Sequence, residues 1–152
     1  MEELMVLGKD YALREDPTAT EAALGRRYLT IPEGDFYAAT SYLEERLYAE
    51  LESALQRIRD RGTADLFGSI DFEIVSRLRE RHSVVARYKG RKILVKSTAI
   101  MLPKEAIEYL VAHELAHIVT TKHSRQFMAT LETLYPEYRV GRKRLHDFSD
   151  KV

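Results

Sequence analysis

The stretch from Pro103 to Ile118 restricts the fold more than any other part of the chain. Proline fits the first position of a helix, where its missing N–H costs nothing. Ile107, Leu110, Val111, Leu115 and Ile118 then recur at helical spacing, and beyond Glu108 the one carboxylate is Glu114. That pattern predicts a largely buried helix. Inside it stands His113-Glu114-Leu115-Ala116-His117, an H-E-x-x-H motif. Residues four apart share one helix face, so both imidazoles can reach a single zinc ion at about 2.0–2.1 Å. Glu114 projects from the adjacent face, within reach of a water on that ion, as a metalloprotease general base does. With 5 His and 16 Glu in 152 residues, composition alone yields roughly 0.02 such motifs. Two histidines and a glutamate on a buried helix are costly without a partner, and a metal supplies one.

The third ligand needs a break in the helix. On a continuous helix His123 would lie about 15 Å along the axis from His113, too far to share an ion. Thr120 and Thr121 are weak helix formers, and Ser124 can cap a new helix directly after His123. The helix is therefore expected to end near Val119, with His123 in the turn and aimed back at the metal. A carboxylate of the following helix, Glu132 or Glu137, is the rival.

The rest of the chain supplies a sheet and three more helices. Leu4–Leu7 and Tyr11–Arg14 flank Gly8-Lys9-Asp10 as a hairpin, and residues 22–31 read as a strand with a turn at Gly25-Arg26-Arg27. Pro32-Glu33-Gly34 breaks the pattern. Asp35 suits a helix N-cap, and Ala39, Leu43, Leu47, Leu51, Ala54, Leu55 and Ile58 trace an amphipathic helix from about 35 to 61, closed by Gly62. Ile70–Leu78 has strand character, and Ser83–Tyr88 with Arg91–Lys96 reads as a hairpin around Lys89-Gly90. A helix capped by Ser124 must stop near Tyr135, before Pro136, and a short basic helix over about 137–147 follows. The expected class is α+β, in one domain over 1–152. Residues 1–62 hold the N-terminal strands and the long helix. Residues 63–152 hold a small, mainly antiparallel sheet, the motif helix and the C-terminal helices.

The run Tyr109-Leu-Val-Ala-His113-Glu-Leu-Ala-His117-Ile, then His123-Ser124-x-x-Phe127 and Tyr135-Pro136-Glu137-Tyr138, resembles the YgjP-like metallopeptidase family, related to the SprT-like and WLM zincins. Leu7-Gly8-Lys9-Asp10-Tyr11 resembles its N-terminal strand more loosely. The resemblance implies a single metallopeptidase-like domain with a minimal zincin-like fold, in which a small sheet lies over the active-site helix. It implies a zinc cofactor on His113, His117 and His123, with Glu114 as general base and acid. The chain departs from the family pattern in three places. Arg81-His82-Ser83 stands where members carry an Arg-Trp-Gly-Ser-Cys-like stretch, Lys122 where Asn is common, and Met128 where an aromatic follows the Phe.

Composition narrows the alternatives. The absence of cysteine excludes disulfides, a thiol nucleophile and Cys-ligated metal. No apolar run approaches the roughly 18–20 residues of a membrane span, and the acidic start lacks a signal peptide's pattern. A cytoplasmic protein with no membrane partner is expected. Net charge is zero, but residues 1–75 hold 8 basic and 16 acidic groups while residues 76–152 hold 16 and 8. The halves either neutralise each other or leave a basic C-terminal face for nucleic acid or an acidic partner.

The leading reading is hydrolysis of a peptide bond in a peptide or protein substrate, laid along a sheet edge with Lys92–Thr98 as the strand. Tyr109, Tyr138, Arg142, His82 and His146 are candidates for stabilising the oxyanion. A DNA-associated protease of SprT-like type would add salt-sensitive phosphate contacts. Metal-dependent RNA-processing hydrolases space their histidines alike but lack the motif's glutamate, which Glu114 supplies. Metzincins need glycine where Thr120 stands. A non-catalytic metal-binding module has no use for Glu114.

Overall fold

The computed structural model describes residues 2–63, 67–76, 78, 86–89, 91–119 and 124–150. β1 (Glu3–Val6) and β2 (Lys9–Asp16) pair antiparallel, with Val6 opposite Lys9. The turn is therefore Leu7-Gly8, a residue earlier than Gly8-Lys9-Asp10. A two-residue turn of this hand needs positive φ at both positions. Leu7 stands at 52° and Gly8 at 82°. Tertiary contact holds the leucine there. Leu7 N–H donates to the Ile100 carbonyl at 2.6 Å, and Gly8 N–H to that of Met101 at 2.9 Å. β3 (Ala23–Leu24) and β4 (Tyr28–Pro32) form a second hairpin, and β2 runs parallel to β4, in the order β1-β2-β4-β3.

α1 (Phe36–Ile58) begins where the Asp35 carboxylate accepts from Ala38 N–H at 3.1 Å. Leu47, Leu51, Ala54, Leu55 and Ile58 are buried along one face. A wide helical turn over Arg59–Thr63 follows, where Gly62 takes φ 89°. β5 (Asp71–Val75), β6 (Ala86–Lys89) and β7 (Lys92–Lys96) form a second small sheet in the order β5-β7-β6. β7 lies parallel to β5 and antiparallel to β6.

This order corrects one expectation. The strand within Lys92–Thr98 is central, paired on both sides from Lys92 to Val95 and with β5 alone at Lys96, and Ser97 and Thr98 open a short 3-10 turn over Ser97–Met101. The edge beside it is β6. Ile93, Leu94 and Val95 form a short apolar run between two lysines, with Ile93 and Val95 buried and Leu94 half-buried, and such a run is the same for a central strand and an edge.

α2 (Lys104–Val119) follows Pro103, α3 (Arg125–Leu134) follows Ser124, and α4 (Tyr138–Phe148) follows Pro136. α2 is the hub: it packs against α1, α3, α4 and β6. Its Ala106, Ile107, Val111, Ala112, Leu115 and Ala116 are fully buried. One buried cluster joins these to Val6, to the inner face of α1, to Phe72, Ile93 and Val95, and to Phe127 and Leu131 of α3. No described helix is long and apolar enough to cross a membrane.

Two contacts fix α2 against its neighbours. Glu108, 5% exposed, accepts from Arg57 Nε at 2.5 Å and from Arg61 Nη2 at 2.7 Å. Arg61 also donates to the Leu134 carbonyl at 2.7 Å and stacks over the Tyr135 ring. A buried carboxylate is tolerated here because two guanidiniums satisfy both of its oxygens. Close by, Gly141 of α4 lies directly on α2. A Cβ there would stand 2.7 Å from the Glu105 carbonyl oxygen and 2.7 Å from Tyr109 Cβ.

Candidate metal centre

The hub helix carries the chemistry. His113 and His117 lie one turn apart on α2, with ring centroids 4.7 Å apart and planes at 81°. Glu114 is buried, and its Oε1 lies 3.6 Å from His113 Nδ1. One donor atom from each of the three residues lies within 4.8 Å of the others. Imidazole nitrogens and a carboxylate oxygen are donors that zinc accepts. The two imidazoles therefore suit a zinc ion, with the Glu114 carboxylate close beside them, and neighbouring helices pack on α2.

Phe127 forms the wall of this site. It is 1% exposed, and its ring lies 5.3 Å from that of His113 and 4.7 Å from that of His117. Local sequence explains its place. The Ser124 hydroxyl accepts from Phe127 N–H at 3.4 Å, which starts α3 and sets the phenylalanine in its first turn. Tyr109 stands one turn before His113 on the same face, with ring centroids 5.7 Å apart. Burial raises the pKa of its hydroxyl above the ordinary tyrosine value, with Arg142 opposing the shift.

The structure thus brings together His113, Glu114 and His117. His123, like His82, lies outside the described residues. The rival ligands Glu132 and Glu137 are exposed and are not part of the group of donors found among the described residues. Of the oxyanion candidates, Tyr109 and Tyr138 are buried against each other's helices, with Arg142 5.7 Å from the Tyr138 ring centroid. His146 is exposed, and its carbonyl accepts from the Ser149 hydroxyl. Of the basic run from Arg77 to Lys96, positions 77, 79 and 81 fall outside the described residues.

Sequence reasoning gave no role to Phe127, Glu108 or Gly141. Glu108 left a signal, a carboxylate within an apolar helical stripe. Gly141 left a weaker one, a glycine inside a helix where alanine is preferred.

A family model described as YgjP-like, metallopeptidase domain, matches residues 1–148. The crystal structure of the metallopeptidase zymogen of Pyrococcus abyssi abylysin has a similar fold, with a TM-score of 0.54 at 22% identity. The match covers 67% of this chain and 94% of that one. No curated protein matches.

Proposed function

We propose that this chain, which belongs to the YgjP-like metallopeptidase family, hydrolyses peptide bonds with zinc held by His113, His117 and His123. The observation that carries the reading is the convergence of His113, Glu114 and His117 within 4.8 Å on a buried helix. When bound, zinc polarises the scissile carbonyl and lowers the pKa of water toward about 7. Glu114 supplies the proton relay. Its carboxylate takes a proton from the attacking water, whose oxygen bonds to the carbonyl carbon. It then gives that proton to the nitrogen as the C–N bond breaks. Phe127 fills the space against both imidazoles and holds their rotamers. An extended peptide or protein substrate lies along β6, the sheet edge that packs on α2. The same reading takes residues 1–152 as one catalytic domain acting in the cytoplasm.

Metal content tests the ligands. Wild type prepared without added metal should carry about one zinc per chain, and His123→Ala much less. Equal zinc in both would move the third position to another donor. Glu114→Gln should keep its zinc and lose turnover of an unstructured peptide. Retained peptidase activity in that variant would refute the mechanism.

A further inference from the structure

The hydrogen-bond phase of β1 exposes an open edge. Glu2 accepts from Leu13 N–H, and the register pairs Leu4 with Tyr11 and Val6 with Lys9. In an antiparallel pair the bonded positions alternate, so Glu2, Leu4 and Val6 turn their backbone groups toward β2. Glu3 and Met5 turn theirs outward, at the outer edge of the four-stranded sheet. The next outward donor, Leu7 N–H, is taken by the Ile100 carbonyl. Beyond it, the outward groups of Met5 and Glu3 have no backbone partner among the described residues.

Beside this edge runs a trough of about 340 Å³ between β1, α1 and the 3-10 turn. Leu4, Leu43, Ile100 and Met101 give it an apolar lining, and Thr98, whose hydroxyl oxygen is buried without a partner among the described residues, also lines it. A second hollow of about 260 Å³ shares Leu4 and Leu43 and continues to Phe36, which is 53% exposed. The charged residues lining the trough are Glu3 and Glu44, both acidic, and Glu2 borders the second hollow.

We infer that the outer edge of β1 binds an extended basic peptide segment of a partner protein, which adds a strand to the sheet and lays apolar side chains into the trough. Outward backbone groups at Glu3 and Met5 offer main-chain bonds, and the adjacent hollow takes alternate side chains. The acidic rim selects the occupant. A second copy of this chain pairing edge to edge would bring two sets of Glu2, Glu3 and Glu44 together, whereas lysine or arginine on a partner strand would neutralise them. None of His113, Glu114 and His117 lines this surface, so its occupancy requires no peptidase activity.

Fluorescence polarisation with the Glu114→Gln protein at low salt tests this, using labelled Lys-Ile-Arg-Val-Lys-Leu and the same hexapeptide with glutamate at its three basic positions. The basic peptide should saturate and bind roughly tenfold more tightly than the acidic one. Met5→Pro removes an outward N–H, which an edge strand tolerates, together with a side chain that lines the trough, and should weaken binding roughly tenfold. Glu44→Lys, on α1, should reverse the preference between the peptides, and carries the test if Met5→Pro does not fold. Absence of saturable binding, or unchanged affinity in both variants, would overturn the inference. A dimer that sedimentation detects and Met5→Pro dissociates would also overturn it, by making a second copy the occupant.

Discussion

Replacing Gly141 with alanine should destabilise the protein, although the same change in most helices stabilises. The intrinsic gain from Gly→Ala in a helix interior is about 1 kcal/mol. Here the new Cβ would stand 2.7 Å from the Glu105 carbonyl oxygen, 2.7 Å from Tyr109 Cβ and 2.8 Å from Tyr135 Cε2, where ordinary contact begins at 3.4 Å. Two of those atoms belong to the backbone and the first side-chain carbon of α2, so neither can swing aside. α4 must then retreat from α2 by more than half of an ångström, and because the clashing atoms cannot swing aside the strain is about 2–3 kcal/mol, the upper part of the range for overpacking in a close-packed interior. The net expectation is a loss of about 1–2 kcal/mol, a fall of about 2–8 °C in Tm for a chain of this size. Thermal unfolding followed by circular dichroism measures it, with Val140→Ala as control. Val140 is 50% exposed, and its truncation should stay within about 0.5 kcal/mol. An unchanged or raised Tm in Gly141→Ala would refute the close approach of α4 to α2.

Three further perturbations probe the frame around the metal centre. Glu108→Gln removes the charge that both Arg57 and Arg61 address, and should cost about 2–3 kcal/mol in urea unfolding. A loss below about 0.5 kcal/mol would show that the clamp contributes nothing. Gly8→Ala places a side chain at φ 82° and 3.1 Å from Pro103 Cβ, and should cost about 1–2 kcal/mol by the same assay. Equal stability would show that the turn adopts another conformation. Burial and the nearby Glu108 push the Tyr135 hydroxyl up to about 12, from 10.0. Its contribution is therefore fully present below pH 10. It is lost as pH rises toward 12, because the unfolded chain sheds that proton first. Stability should fall less steeply between pH 10 and 11 in Tyr135→Phe than in wild type, and identical slopes would refute the shift.

The local features of the fold were legible because they depend on neighbours in the chain. Asp35 caps α1, Ser124 caps α3, Pro103 precedes α2, and Pro136 separates α3 from α4, each through geometry confined to a few residues. The strands were legible as strands but not in their pairing. Residues 92–96 hold a short apolar run between two lysines, which does not name its neighbours, and β5 and β6 flank them, since partner choice depends on distant segments. The turn of the first hairpin shifted by one residue because Ile100 and Met101 supply acceptors that hold Leu7 at positive φ. No local propensity would place a leucine there.

The metal centre divides in the same way. Sequence alone determines that His113 and His117 share a face and that Glu114 stands beside them, because four residues make about one turn of any α-helix. Only the tertiary structure decides what surrounds that face. It brings Phe127 against both imidazoles, seats α4 on α2 through Gly141, and ties the buried Glu108 to Arg57 and Arg61, 51 and 47 residues away. These contacts arise from the packing of whole elements into one dense core, where each residue's neighbours are set by shape and volume rather than by distance along the chain.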